Sequence, residues 1–398
     1  MNAIQIQNLD VVFGNNVQRT LALLDQNQDR QSILESTGDV VGVHNANLEV
    51  KQGEICVLMG LSGSGKSSLL RAVNGLNPIS RGSLQVRDGE QMVDLANCDD
   101  SCLRQLRLKL ISMVFQKFAL MPWLSVVDNV AFGLEMQGIN KTERRRQALE
   151  KLEMVGLADW RNKLPHELSG GMQQRVGLAR AFAMDSDILL MDEPFSALDP
   201  LIRSQLQDEL IALQSQLNKT ILFVSHDLDE ALKIGTNIAI MESARIIQHG
   251  APEEIVLNPS NAYVEKFVAH TNPLNVLRGR SLMTSIDNLE RLDQMLVLNH
   301  SNNTHIRTDT AGAVVAASCE GQPMAVRDWH EGESLELLDP NTLVTTSPDI
   351  SMRQAIEIRY RTGQPVLLRE ENRVVGLLSD RDFYHALLGK HFSQQSAA

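Results

Sequence analysis

The segment Ile55–Ser67 (ICVLMGLSGSGKS), followed by SLLRAVNGL, decides the fold of this 398-residue chain. An apolar run, a glycine-rich turn and an amphipathic run predict a strand, a loop and a helix in that order. Residues 60–67 fit the pattern G-x-x-x-x-G-K-[ST], in which backbone N–H groups surround phosphate oxygens at the start of the helix. The sequence therefore predicts an α/β domain that binds the phosphate chain of a nucleotide.

Two side chains of this loop have chemistry of their own. Lys66 supplies a positive charge for the β- and γ-phosphates, and the Ser67 hydroxyl is a ligand for Mg²⁺. The alternative is a glycine- and serine-rich turn with an incidental lysine, but the position between a predicted strand and a predicted helix favours the phosphate loop. The candidate nucleotide-binding residues here are Gly60, Leu61, Ser62, Gly63, Ser64, Gly65, Lys66, Ser67 and Ser68.

A second apolar strand, ILLMD at residues 188–192, ends in the carboxylate pair Asp192 and Glu193. We expect Asp192 to hold Mg²⁺ through water and Glu193 to act as the general base that polarises the attacking water. Acidic residues after a strand also occur simply as favourable charges at a helix N-terminus. The hydrolytic interpretation therefore depends on the phosphate loop found elsewhere in the same chain.

The segment LSGGM at residues 168–172 resembles the signature of ATP-binding-cassette (ABC) ATPases, which usually reads LSGGQ, so Met172 is a departure. The resemblance implies an ABC nucleotide-binding domain with a mixed-sheet core and a helical subdomain at about residues 117–180. It also implies that Ser169, Gly170, Gly171 and Met172 contact the γ-phosphate held by a second copy. A simple helix N-cap is the alternative for these residues.

Four more positions match the family in the order in which its motifs occur. Gln116 corresponds to the glutamine that contacts Mg²⁺ and the attacking water, and His226 to the histidine that contacts the γ-phosphate. Asp199, in the loop 196–199, corresponds to the residue that couples two copies, and Phe13 is the candidate for stacking on adenine. The resemblance thus implies Glu193, His226 and Gln116 as catalytic residues, and Ser67, Gln116 and Asp192 around Mg²⁺.

Three longer segments resemble the ATPase subunits of importers for quaternary ammonium compounds such as glycine betaine, proline betaine and choline. They are ILESTGDVVGVHNANLEV, MVFQKFALMPWLSVVDNVAFGLEMQGI and DEPFSALDPLIRSQLQDELIALQ with FVSHDLDEALKIGTNIAIM. The resemblance implies ATP and Mg²⁺ as cofactors, and a second copy and a membrane-spanning permease as partners. An external substrate-binding protein acts indirectly, and the chain is expected at the cytoplasmic face of the inner membrane.

Composition limits the alternatives. The formal net charge is −12, which disfavours a soluble cassette protein that acts on nucleic acid or ribosomes. An importer ATPase for another small solute, such as an amino acid, stays an alternative.

No signal peptide or apolar run of about 18 residues is present, so a membrane role is expected to come through a partner. We expect the four cysteines to form neither a disulfide framework nor a metal site at Cys98 and Cys102, as in a reducing cytoplasm.

Two domains are predicted, the ATPase at residues 1–271 and a tail at residues 272–398. A polar segment at about 15–39 is expected to be a short helical insertion. The tail resembles a cystathionine-β-synthase-type (CBS) regulatory domain of small α/β fold, with residues 349–390 matching better than residues 274–328. A sensor for adenine nucleotide, cyclic dinucleotide or ionic strength, and a packing appendage without a ligand, are both open for this tail.

Overall fold

The computed structural model describes residues 1–116, 119–196, 198–269, 271–292 and 295–388. Predictions that involve residues 117, 118 and 197, within the helical subdomain and the loop 196–199, lie in part outside the described residues, as does the end of the tail. The chain divides into two compact units, Met1–Ala251 and Pro252–Ala398. Within the described residues, no helix has the length and apolar character needed to cross a membrane.

The first unit contains two sheets and the helices that cover them. Its strands are β1 (Asn2–Phe13), β2 (Val40–Lys51), β3 (Ile55–Met59), β4 (Arg81–Asp88), β5 (Gln91–Asp94), β6 (Ile111–Val114), β7 (Ile188–Asp192), β8 (Thr220–Val224), β9 (Asn237–Glu242) and β10 (Arg245–Gly250). Its helices are α1 (Val17–Asp25), α2 (Arg30–Thr37), α3 (Lys66–Val73), α4 (Asp100–Lys109), α5 (Val126–Met136), α6 (Lys141–Met154), α7 (Gly170–Ala183), α8 (Pro200–Leu217) and α9 (Leu228–Ile234).

The sheet that positions the site has the strand order β10-β9-β3-β8-β7-β6. All pairs from β6 to β9 are parallel, and β10 is antiparallel to β9. Every residue of β3, β7 and β8 is buried, as expected for continuous apolar strands that are covered on both faces. Because parallel strands end at the same edge, Asp192 at the end of β7 lies at the same edge of this sheet as Gly60 and Ser225, which directly follow β3 and β8.

A second, antiparallel sheet has the order β2-β1-β4-β5. The sequence analysis assigned no strands to residues 81–94, which form the hairpin of β4 and β5. The alternation in RGSLQVRDGEQMVD and the Asp88-Gly89 turn are an ordinary hairpin signal. The hairpin was therefore predictable, and the sequence analysis missed it.

The insertion between β1 and β2 consists of the helices α1 and α2, as expected. Phe13 at the end of β1 pairs with Val40 at the start of β2, so the insertion leaves and re-enters the sheet at one place. The Asp39 carboxylate accepts hydrogen bonds from the backbone N–H groups of Asn15 (3.1 Å) and Asn16 (3.2 Å) and from the Thr20 hydroxyl (2.8 Å). These bonds close the insertion at its base.

Helices α5, α6 and α7 form the helical subdomain. They enclose their own apolar core, in which Val130, Leu152 and Val176 are fully buried. Ser125, Asn140 and Ser169 cap the N-termini of the three helices with side-chain oxygens, so each helix begins where the sequence offers a capping residue.

Cys98 and Cys102 are joined by a disulfide, a local pairing that was not predicted from the sequence, where no disulfide framework was expected. Cys98 lies just before the N-cap residue Asp99, and Cys102 lies in the first turn of α4. The first turn brings their Cα atoms to 5.4 Å, which is within the usual range for a disulfide.

The second unit contains two five-stranded sheets. Its strands are β11 (Thr284–Ser285), β12 (Arg291–Leu292), β13 (Met295–Asn299), β14 (Thr304–Thr308), β15 (Val314–Cys319), β16 (Gln322–Pro323), β17 (Val326–Asp328), β18 (Leu343–Thr346), β19 (Val366–Glu370) and β20 (Arg373–Leu378). Its helices are α10 (Pro252–Leu257), α11 (Ala262–Val268), α12 (Gly279–Leu282), α13 (Met352–Thr362) and α14 (Asp380–Leu388).

The two sheets of this unit differ in kind. Strands β18, β19 and β20 alternate with α13 and α14 in an α/β arrangement, with β18 parallel to β19 and β19 antiparallel to β20. Strands β12 to β16 form an antiparallel sheet from residues 291–323, so this half of the tail departs from the expected α/β pattern. Its short strands are joined by polar turns such as Asn299–Asn303, which favour hairpins over helices.

The boundary between the units precedes the one expected at residue 271. Helix α10 contributes Leu257, which packs against the apolar core of the second unit together with residues such as Val344 and Phe383. Helices α10 and α11 therefore belong to the tail. Their motif-free sequence gave no sign of which unit they join.

Candidate active site

A cavity of about 540 Å³ lies beside the phosphate loop at the carboxyl edge of the main sheet. It brings together side chains that are far apart in the sequence, from β1, the loop after β3, and the segments after β6, β7 and β8. The lining residues are Phe13, Arg30, Val40, Gly42, Ser62, Gly63, Gly65, Lys66, Ser67, Ser68, Gln116, Glu193 and His226.

Glycines of the phosphate loop allow close backbone contacts. Gly60 has a φ of +142°, and a Cβ there would lie 2.2 Å from the Met241 carbonyl oxygen. Gly65 has a φ of +105°, and a Cβ there would lie 2.3 Å from the Gly42 carbonyl oxygen. Neither position accepts a side chain, so the loop must turn tightly at both. Helix α3 then begins at Lys66, which directs its free N–H groups into the cavity.

The Lys66 ammonium group lies inside the loop. It donates hydrogen bonds to the carbonyl oxygens of Gly60 (2.8 Å) and Leu61 (3.0 Å). Burial lowers the pKa of Lys66 below its ordinary value, while the negative charges of Glu193 and Asp192 oppose that shift. A cation that is held away from water next to two carboxylates is well suited to bind phosphate oxygens. Gly60, Leu61 and Ser64 belong to the loop but do not line the cavity.

Asp192 joins the end of β7 to helix α3. Its side chain is fully buried, and it accepts hydrogen bonds from the Ser67 hydroxyl (2.7 Å) and from the Arg71 guanidinium (3.1 Å). The hydroxyl and the carboxylate are thus within direct reach of each other. Both are hard oxygen donors, which is the ligand type that Mg²⁺ prefers. Arg71 was not identified from the sequence.

Glu193 lies at the centre of the polar side chains after the strands. One carboxylate oxygen, Oε2, accepts a hydrogen bond from the Gln116 side-chain amide (2.9 Å) and lies 3.4 Å from Nδ1 of His226. The backbone of Glu193 has a φ of +48°, in the left-handed region, and its N–H donates to the Val224 carbonyl at 3.1 Å. The Glu193 side chain is 18% exposed and lines the cavity. The backbone hydrogen bond to Val224 holds the residue at the end of the sheet.

Phe13 lies at the mouth of the same cavity, at the end of β1. Gly42 makes room for its ring, because a Cβ at Gly42 would lie 2.5 Å from the ring edge and 3.1 Å from the Ser68 hydroxyl. Val40, which is 46% exposed, lines the cavity beside it. The aromatic ring is therefore available for stacking next to the phosphate loop.

The signature residues lie at a different place in the first unit. Ser169 caps helix α7, with its hydroxyl accepting from the Met172 N–H at 3.4 Å, and Gly170 and Gly171 form the first turn. None of these residues lines the cavity around the phosphate loop. Asp199 likewise lies outside the cavity and caps helix α8 through the Ile202 N–H at 3.1 Å. The structure thus does not bring these five predicted ATP contacts to the phosphate loop of their own chain.

The departure at Met172 has a structural explanation. The Met172 side chain packs against the apolar core of the helical subdomain. The neighbouring Gln173 amide instead donates to the carbonyl oxygens of Pro165 (3.0 Å) and Leu168 (3.2 Å), which holds the loop that precedes the signature. Methionine is compatible with this position because the side chain there contacts apolar atoms.

Arg30 is the residue that the sequence analysis missed most clearly. It begins helix α2 of the insertion, lines the cavity, and donates a hydrogen bond from Nη1 to the Gly63 carbonyl oxygen at 3.0 Å. No local pattern marks it, because its contact with the phosphate loop spans 33 residues.

Comparison with known proteins adds independent information. The family model described as ABC transporter matches residues 43–196. A glycine betaine/proline betaine transport system ATP-binding protein, ProV of Escherichia coli, is 53% identical over 264 residues, which are 66% of this chain and 65% of that protein. The protein of the same name from Salmonella typhimurium is 40% identical over 409 residues, covering 96% of this chain and 97% of that protein.

Among solved structures, a dimeric ATP-binding cassette in a post-hydrolysis state with bound ADP and Pi matches with a TM-score of 0.54 and 29% sequence identity. The match covers 63% of this chain and 98% of that chain. These findings confirm the family resemblance that was based on residues 168–172 and the surrounding motifs. Alignment over nearly the full length of both proteins shows that this chain belongs to the family of ABC transporter ATPases.

Proposed function

We propose that this chain is the ATP-hydrolysing subunit of an importer for a quaternary ammonium compound such as glycine betaine or choline. The observation that carries the catalytic part is the position of Glu193, which contacts Gln116 and His226 in the cavity of the phosphate loop. The substrate part is supported by the relatives, whose names specify glycine betaine and proline betaine transport.

The ground-state contacts of ATP are assigned to the phosphate loop. Its backbone N–H groups and Lys66 hold the phosphates, and Phe13 stacks on the adenine ring. Ser67, Gln116 and, through water, Asp192 are the residues that would hold Mg²⁺, which would neutralise charge on the β- and γ-phosphates. Arg71 holds the second oxygen of Asp192 and so fixes the direction of the first.

Glu193 then activates water. Its Oε2 lies beside both Gln116 and His226, so a water molecule bound to these groups is oriented and loses its proton to the carboxylate. His226, with a side chain that is 62% exposed, is placed to contact the γ-phosphate. Phosphoryl transfer needs little covalent help from the protein, so orientation and charge provide most of the rate enhancement.

The signature residues act on the site of a second copy in this proposal. Ser169, Gly170 and Gly171 present the N-terminus of α7, which is suited to a phosphate, yet they do not line the cavity of their own chain. Two chains would therefore enclose two ATP molecules, with Met172 and Asp199 near the contact. The dimeric cassette among the solved structures supports this arrangement.

Partners and the tail complete the proposal. The chain would bind a membrane-spanning permease at the cytoplasmic face of the membrane, and a separate external protein would deliver the substrate. Residues 272–398 are proposed as a CBS-like regulatory domain, supported by the α/β arrangement of β18, α13, β19, β20 and α14.

Reconstitution tests the function directly. The chain is purified with its permease, placed in proteoliposomes and supplied with binding protein, Mg-ATP and labelled glycine betaine or choline. ATP-dependent uptake of either compound is expected, while uptake of amino acids alone would refute the substrate assignment. Absence of Mg-ATP hydrolysis in the assembled complex would refute the enzymatic assignment.

A further inference from the structure

We propose that Arg30, from the insertion between β1 and β2, is a second cationic ligand for the phosphate chain of the bound nucleotide. The inference rests on the proposed ATP-binding function and adds a residue that lies outside the phosphate loop. It also gives the insertion, helices α1 and α2, a direct part in nucleotide affinity.

The Arg30 side chain lies next to the phosphate loop. Arg30 Nη1 lies 3.0 Å from the Gly63 carbonyl oxygen, and the side chain lines the same cavity as Lys66, Ser67 and Ser68. A guanidinium group carries five N–H donors in a planar fork, and only one of its nitrogens is used by Gly63. The remaining donors are available beside the backbone N–H groups that are suited to bind phosphate.

Among the described residues, no neighbouring carboxylate neutralises the charge of Arg30. Within the described part of the chain, Arg30 donates a hydrogen bond to Gly63 and forms no ion pair with a carboxylate. The adjacent Asp29 is committed to helix α2, since its carboxylate accepts from the N–H groups of Gln31 and Ser32, both at 3.0 Å. Burial lowers the pKa of Arg30, yet a guanidinium keeps its charge at neutral pH.

Arg30 and Lys66 make the same kind of contact with the phosphate loop. Both cations donate to carbonyl oxygens of the phosphate loop, Lys66 to Gly60 and Leu61 and Arg30 to Gly63. Charged side chains that line this cavity are Arg30, Lys66 and Glu193, with His226 as a further titratable group. A triphosphate brings several negative charges into this space, so an additional fixed cation stabilises it.

Equilibrium binding of a fluorescent ATP analogue with Mg²⁺ tests the inference on the full-length chain. The variants are Arg30→Ala, Arg30→Gln and Arg30→Lys. Arg245→Ala is the matched control, because Arg245 lines a neighbouring cavity together with Arg30 but does not line the nucleotide cavity. Each Kd is measured over a series of salt concentrations, and kcat and KM for ATP hydrolysis are measured in parallel.

The Kd for the Arg30→Ala and Arg30→Gln variants is expected to rise about tenfold, with KM following and kcat unchanged. Arg30→Lys should recover most of the affinity, and loss of the cation should make binding less dependent on salt. The Arg245→Ala control should bind like the wild type.

Normal affinity in Arg30→Gln would overturn the inference, because glutamine can still donate to Gly63 and the role would then be structural. Normal affinity in Arg30→Ala would do the same. If Arg30→Ala does not fold, the comparison of glutamine with lysine decides the question. Failure of the wild type to bind Mg-ATP would instead refute the proposed function.

Discussion

Replacement of Glu193 by glutamine should stop hydrolysis while leaving ATP binding intact. The amide cannot accept a proton from water, and removal of a positioned general base typically costs about 10²- to 10⁴-fold in rate. At 1.36 kcal/mol for each factor of ten, this range corresponds to about 3–5 kcal/mol of transition-state stabilisation. The phosphate contacts of Lys66 and Ser67 do not require the Glu193 carboxylate, and its loss removes a negative charge near Lys66, so the Kd for ATP should not rise.

Glutamine at position 193 should remove the basic carboxylate without disturbing the local structure. Glutamine has the same shape, meets the same backbone φ of +48° and can keep the N–H contact to Val224. Single-turnover hydrolysis measures the chemical step, equilibrium binding measures ATP affinity, and size exclusion with Mg-ATP detects a trapped dimer. Glu153→Gln, at an exposed position of α6, is the control for the loss of one negative charge. Hydrolysis by Glu193→Gln at the wild-type rate would remove this residue from the role of base.

Four further results are expected. Chains carrying Lys66→Ala or Ser169→Arg should be inactive alone but regain some ATPase activity when mixed, because a mixed dimer holds one intact composite site; no recovery on mixing would count against the two-chain site. Deleting residues 252–398 should leave ATP hydrolysis intact but abolish the response of transport to internal ionic strength or a small nucleotide, which proteoliposome uptake measures; an identical response in both forms would favour a packing appendage. Leu152→Ala should lower the free energy of unfolding by about 2–5 kcal/mol in denaturant titrations, since Leu152 is fully buried in the helical subdomain. Asp10→Asn should cost about 1–3 kcal/mol at pH 7, because this buried carboxylate accepts hydrogen bonds from His44, Asn45 and Arg81. Burial alone would raise the pKa of Asp10, but these hydrogen bonds hold it below the ordinary value; the stabilisation is therefore complete above the ordinary carboxyl pKa and is lost as the pH falls through the lowered pKa.

Much of the main sheet was predictable because β3, β7 and β8 are short apolar strands, and each leads into residues of a nucleotide-binding or hydrolytic motif. Gly60 follows β3, Asp192 and Glu193 end or follow β7, and His226 follows β8, so the sequence itself places these residues at strand ends. The parallel arrangement then brings them to one edge without further information. The position of these residues at one edge of the sheet therefore follows from local sequence plus one topological rule.

Other features depend on contacts that no local pattern reveals. Arg30 touches Gly63 across 33 residues, and Arg71 touches Asp192 across 121 residues. Leu257 belongs to the second unit only because its side chain reaches the core there. The antiparallel sheet of residues 291–323 is built from short strands with much polar sequence, which carry a weak periodic signal.

The way in which the insertion between β1 and β2 begins and ends has a consequence for the evolution of this ATPase by insertion or deletion. Since Phe13 and Val40 are already paired and Asp39 holds Asn15 and Asn16, the insertion leaves and re-enters the sheet at one place, and its Leu21 and Ile33 share an apolar cluster with Val12 and Val41. A tight turn could replace it without shifting the register of either strand. Under the role proposed for Arg30, such a deletion would remove one phosphate contact while Glu193 and His226 keep their positions after β7 and β8.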